Sequence, residues 1–259
     1  MNRRTFLSVL PVAATLRYPD QLLDSQRPST GSRQQFLDAC ARAKFWYGLG
    51  LLPKAIGALR PASKFAEAYG TAQDIDHLTR LYDRYEKLFM ESNDRLEQLL
   101  QEEASTEPTL SRQMQIINLL LDTGQPWEAI ARCWRTLERF PDTFPENIAS
   151  LYNKLGFSYY YLGEHWEALR MVDKAFELVP KDYPPNMAWA QRSISATFLE
   201  YKILYLCARG GVAGAEQAVR TWVHDYGYKF EWLPAPHRYA LGQLGIGVDA
   251  IVEKLDWNL

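Results

Sequence analysis

Residues 149–180 read ASLYNKLGFSYYYLGEHWEALRMVDKAFELVP, and residues 110–141 read LSRQMQIINLLLDTGQPWEAIARCWRTLERFP. The two stretches align when shifted by 39 positions: Gly124 falls on Gly163, Ala129 on Ala168 and Pro141 on Pro180, and Trp127-Glu128-Ala129-Ile130 falls on Trp166-Glu167-Ala168-Leu169. Self-similarity at a fixed interval marks a chain built from repeated supersecondary units. The residue types describe the unit as a helical hairpin. Gly156 and Ala168 are small where two antiparallel helices have to approach closely, and Gly163 supplies the positive φ that ends the first helix. Pro180 stops the second. Trp127, Ile130, Trp134 and Leu137 share one helical face, as do Trp166, Leu169, Val172 and Phe176, and both faces are expected to bury against neighbouring helices.

Spelled as Tyr152-x-x-Leu155-Gly156-x-x-Tyr159, then Gly163, Ala168, Val172, Ala175 and Pro180, the second copy resembles a tetratricopeptide repeat. The resemblance implies an all-α solenoid of antiparallel hairpins, about 10 to 12 helices in a right-handed superhelix. The spacing of 39 exceeds the usual repeat of about 34, and the surplus is assigned to the connection at 141–145, with Pro145 opening the next helix. A degenerate hairpin is expected over 188–226, turning at Gly210-Gly211, and a C-terminal cap over 235–259. Upstream, Asp74 to Phe89 pairs with Asn93 to Ala104, and Gln34 to Leu52 with Ala55 to Tyr69; nothing reads as strand. One helical-repeat domain over 32–259 therefore follows a segment, 1–31, that reads as flexible.

In tetratricopeptide repeats the first helix of each hairpin builds the inner, concave wall. Carried onto this chain, the wall should present Ser111, Met114, Asn118 and Asp122 from the first copy, and Ser150, Asn153, Phe157, Tyr160 and Tyr161 from the second. An aromatic and polar wall suits a peptide or protein ligand, whose anchors fill pockets while amides and hydroxyls meet its backbone. Phe157 stands where the family's carboxylate-clamping variant needs Asn, which argues against that mode. The expectation is a non-catalytic scaffold or sensor that binds a peptide or protein, with homo-oligomer formation open to it through a cap carrying Trp232 and Trp257.

Lys plus Arg (29) nearly balances Asp plus Glu (31), so no basic field draws nucleic acid to this chain. Cys40, Cys133 and Cys207 are odd in number and set among apolar residues, which reads as free buried thiols in a reducing compartment. None of the four histidines has the spacing of a zinc ligand, and no metal or other cofactor is expected. Asp74-Ile75-Asp76-His77 reads as a helix cap. The glycine groups at 48–50 and 242–247 lack the strand and lysine of a phosphate loop, and no nucleophile elbow is present, so the chain is not read as an enzyme. The acidic run between Asp83 and Glu107 reads as a solvated face with pairs such as Glu91 to Arg95.

Asn2-Arg3-Arg4-Thr5-Phe6-Leu7 before a short apolar stretch resembles a twin-arginine export signal, which would make the chain an exported scaffold. The same stretch is similar to the junction in bacterial regulators where a helix-turn-helix head meets a helical-repeat tail. That second resemblance implies a cytoplasmic regulatory module without the DNA-binding head, and it is the preferred setting. No run reaches the length of a membrane span.

Overall fold

The computed structural model describes residues 33–180 and 188–246, and every regular element among them is helical. Ten α-helices follow in order: α1 (Arg33–Gly48), α2 (Leu52–Tyr69), α3 (Ala72–Ser105), α4 (Leu110–Asp122), α5 (Pro126–Arg139), α6 (Pro145–Leu162), α7 (His165–Leu178), α8 (Ala188–Ala208), α9 (Val212–His224) and α10 (Ala235–Gln243), with a 3-10 turn at Phe230–Trp232 before the last. The arginine pair near the N-terminus, Trp257 and the part of the expected cap from 247 onward lie outside the described residues.

The two repeat copies fold as the hairpins α4–α5 and α6–α7, and their turns share one geometry. Gly124 and Gly163 both adopt positive φ, 77° and 84°. At the second, the Gly163 amide donates to the Tyr160 carbonyl (3.0 Å) and the Glu164 amide to Tyr159 (2.9 Å), satisfying carbonyls that the helix end would strand. Pro145 sits in the first turn of α6, where its missing N–H costs nothing. Across the hairpin, a Cβ placed on Gly156 would lie 3.0 Å from the Ala168 carbonyl oxygen and 3.4 Å from the Tyr205 ring. The close approach expected from the small residues is therefore built by α6, α7 and α8 together.

Two sequence expectations are corrected. The pair Asp74–Phe89 and Asn93–Ala104 is one continuous helix of 34 residues, α3. No Gly or Pro interrupts it, and Asn93, the residue taken as a new start, instead bonds its Nδ2 back to the Phe89 carbonyl (2.9 Å). Asp74 does cap its beginning, as expected, but from the third helical position and with Thr71 as the N-cap: Thr71 accepts from the Asp74 amide (3.2 Å), while the Asp74 carboxylate accepts from the Thr71 amide (3.1 Å) and hydroxyl (2.8 Å). Along its surface Glu91 pairs with Lys87 (3.8 Å) rather than Arg95, which donates to Gln98 (2.6 Å). The second correction concerns the tryptophan faces: Trp127 and Trp166 are 59% and 70% exposed, and Trp134 37%. Ile130, Leu169 and Val172, the aliphatic members of the same expected faces, are buried.

Consecutive helices pack on one another from α1 to α9, and α4, α6 and α8 also touch side by side. The central core joins Leu96 and Leu99 of α3 to Ile116, Leu155, Val172 and Tyr205; separate clusters sit around Leu59 and Tyr85 at one end and Ile203 and Trp222 at the other. Helix α10 folds back against both α8 and α1. Its Tyr239 ring lies 5.4 Å from Phe45, and Gly48 faces Pro236 so closely that a Cβ there would meet it at 2.7 Å.

Candidate functional site

The stacking of α4 beside α6, with α8 beyond, brings one stripe of each helix to a shared side. On α4 the stripe holds Asn118 and Asp122, one helical turn apart; on α6 it holds Asn153 and Phe157, again one turn apart. These four residues line one cavity of about 300 Å³, together with Leu49, Leu121, Lys154 and Tyr201. The volume is at the small end of ligand sites, and the lining combines an apolar and aromatic wall with a few convergent polar groups, as such sites do. Phe157 and Tyr201 meet edge to face at 5.5 Å and form the aromatic wall.

The electrostatics of the cavity are unbalanced. Burial raises the Asp122 carboxyl to about 6, although the Lys154 ammonium pulls it back. Burial lowers Lys154 in turn, against the opposing pull of Cys133 and Asp122. Asp122 nevertheless makes no ion pair among the described residues, and Lys154 donates instead to the Asn118 amide oxygen. Asn153 is 9% exposed, and its Oδ1 has no hydrogen-bond partner. An amide oxygen held away from both donors and water carries an uncompensated desolvation of about 1–3 kcal/mol.

The other expected site residues lie elsewhere. Ser111 is exposed near the start of α4, Met114 is half-buried against the central core, and Ser150 is half-buried near the start of α6. Tyr160 and Tyr161, expected on an open wall, are core residues at 5% and 2% exposure. Tyr160 packs among Trp46, Phe157, His165 and Tyr205, and burial pushes its hydroxyl pKa far above the ordinary value. Tyr161 lies under the Lys54 ammonium (4.5 Å), which also donates to the Tyr161 carbonyl (2.7 Å). Phe157 is 9% exposed, so it reaches the cavity as a wall and not as a projecting anchor. The physical cause is the packing of the first helices and of α10 on this side: Trp46 of α1 lies against Tyr160 (6.3 Å), Lys54 of α2 over Tyr161, and His237 of α10 against Tyr201 (6.5 Å).

Sequence reasoning missed Lys154 and Tyr201. For Lys154 a signal existed, since it is the only charged residue between Glu146 and Glu164. For Tyr201 none did, because α8 carries no register that ties it to the repeats.

A second, larger hollow of about 600 Å³ lies between α5, α7 and α8, where Arg209 stacks 3.1 Å over the exposed Trp166 ring. Its other charges are mostly paired locally: Lys202 with Asp173 (2.6 Å) and Arg170 with Glu167 (2.5 Å). Among groups able to do chemistry, the three cysteines are free and buried, and burial raises Cys133 and Cys207 to about 12. Burial lowers His165 and His237 to about 4, so both imidazoles are neutral at neutral pH. Among the described residues no group of three or more His, Cys, Asp or Glu could hold a metal ion, and no helix is long and apolar enough to cross a membrane. Comparison with family models, curated proteins and solved structures gives no match for this chain.

Proposed function

We propose that the chain is a non-catalytic helical-repeat module of the tetratricopeptide kind, a right-handed solenoid that binds a peptide or protein ligand on the inner side of α4, α6 and α8. One observation carries this reading: of the nine residues that the tetratricopeptide resemblance assigns to the inner wall, Asn118, Asp122, Asn153 and Phe157, two from each repeat copy, line a single cavity. The packing of α1, α2 and α10 on this side restricts the ligand to a short segment. A regulatory role in a reducing, cytoplasmic setting fits three unpaired buried thiols. Ligand occupancy would act by shifting α4 against α6, because small rotations between neighbouring hairpins accumulate along a repeat array.

The test is selection of peptides from a random display library by the full chain, beside Asn118→Ala and, as a control in the second hollow, Trp166→Ala. Sequences retained by the parent and by Trp166→Ala but lost by Asn118→Ala support the reading. Selection of no peptide, or retention by all three proteins alike, overturns it.

A further inference from the structure

Resting on that reading of the inner cavity, we infer that its ligand is a small zwitterion, a free amino acid or very short peptide with unblocked amino and carboxylate groups and an apolar side chain. The geometry sets out the complement of such a molecule. Asp122 offers a carboxylate that has no ion pair among the described residues, and Asn153 on the neighbouring helix offers a buried amide oxygen with no donor. An ammonium group brought between α4 and α6 supplies the N–H donors both lack. Lys154 faces the same space as the only cation of the lining, and its bond to Asn118 occupies one of its three N–H groups, leaving donors for a ligand carboxylate.

The opposite charges matter together. A simple cation would suffer the Lys154 ammonium, and a simple anion would suffer Asp122, whereas a molecule carrying both charges meets each with its opposite. Leu49, Leu121 and the Phe157–Tyr201 pair give its side chain an apolar and aromatic wall. The volume of about 300 Å³ admits a residue or two and no extended peptide. The upward shift that burial imposes on Asp122 fits a site that awaits its counter-ion, since a bound ammonium would favour the charged form and lower the pKa again.

The experiment is isothermal titration of the full chain with L-leucine, L-phenylalanine and L-leucyl-L-leucine, each beside its N-acetylated and its C-amidated form. Binding of the free forms, weakened at least tenfold by either block, is the expected result, and the amino-acid and dipeptide arms tell which source the site prefers. Asp122→Asn should weaken the free ligand at least tenfold and spare discrimination at the carboxylate end, while Lys154→Met should do the reverse. Both variants are near-isosteric, and helical circular dichroism with an unchanged or raised Tm establishes that they fold. If end-blocked peptides bind as well as free ones, the zwitterion assignment falls while peptide recognition stands. If neither these probes nor any library peptide binds, both fall.

Discussion

Gly156 and Asp122 are single residues whose environments fix the direction of a measurable change. A methyl group at Gly156 would press on the Ala168 backbone carbonyl at 3.0 Å, and backbone cannot swing aside as a side chain does. Gly156→Ala should therefore cost about 2 kcal/mol in a urea titration, despite the higher helix propensity of Ala. Asp122 works in the opposite sense. Its folded pKa of about 6 lies above the ordinary 3.8, so protonation favours the folded state, and the charged form becomes a burden as pH rises through 6. Asp122→Asn should stabilise the protein by about 2–3 kcal/mol at pH 7.5. The gain should shrink toward zero by pH 4, where the parent carboxyl is also neutral. Glu200, raised to about 7 by burial on α8, adds to the same trend with pH.

Helix α3 ties the first half of the chain to the repeats through one polar junction. Arg132 of α5 donates to both Glu103 oxygens (2.9 and 2.8 Å) and to the Gln113 amide oxygen (3.0 Å), and Gln113 of α4 bonds Glu103 in turn. Burial works to raise the Glu103 carboxyl, but the Arg132 and Gln113 bonds outweigh it and hold the group below its ordinary range. Arg132→Ala would strand a mostly buried carboxylate, and a loss of about 3 kcal/mol by chemical denaturation is expected, more than an exposed pair such as Arg80–Asp76 could give. This level also shows what the sequence made legible. Hairpin turns were readable because Gly124, Gly163 and Gly210 need positive φ, and helix starts because Pro145 and the Asp74 cap have specific chemistry, although the Thr71 partner of that cap was not foreseen. The continuity of α3 was not readable, since Met90-Glu91-Ser92 neither breaks a helix nor forbids a break. Nor was the exposure of Trp127 and Trp166: periodicity locates a stripe, but which edge of it faces solvent depends on the tilt of the next helix. For the cavity, the resemblance to the repeat family located Asn118, Asp122, Asn153 and Phe157, while Tyr160 and Tyr161 were misplaced because nothing in their own neighbourhood announces that Trp46 of α1 will pack on the first and Lys54 of α2 on the second.

Across the whole molecule, the arrangement of neighbours along the chain is supplemented by the return of α10 to α1. In an open array each unit leans only on the next, and the ends loosen first. Here Phe45 and Tyr239, and Gly48 and Pro236, join an early helix to the last described one. Loosening of either end should therefore be suppressed. Tyr239→Ala should raise amide hydrogen exchange in α1 and α10 together by tenfold or more, a ΔG change of about 1.4 kcal/mol, while α6 and α7 keep their protection. Independent loosening of the two helices would show that each is held by its own neighbour alone.

The same clasp has a kinetic side. Hairpins α4–α5 and α6–α7 assemble from residues close in sequence and can form early, but the Phe45–Tyr239 contact closes a loop through nearly all of the described chain and brings its reward only after that closure. It belongs to the late, native side of the folding barrier. Cutting it should leave the refolding rate in a chevron almost unchanged and steepen the loss on the other limb, so that its contribution is to the lifetime of the folded protein and not to the speed with which it is made.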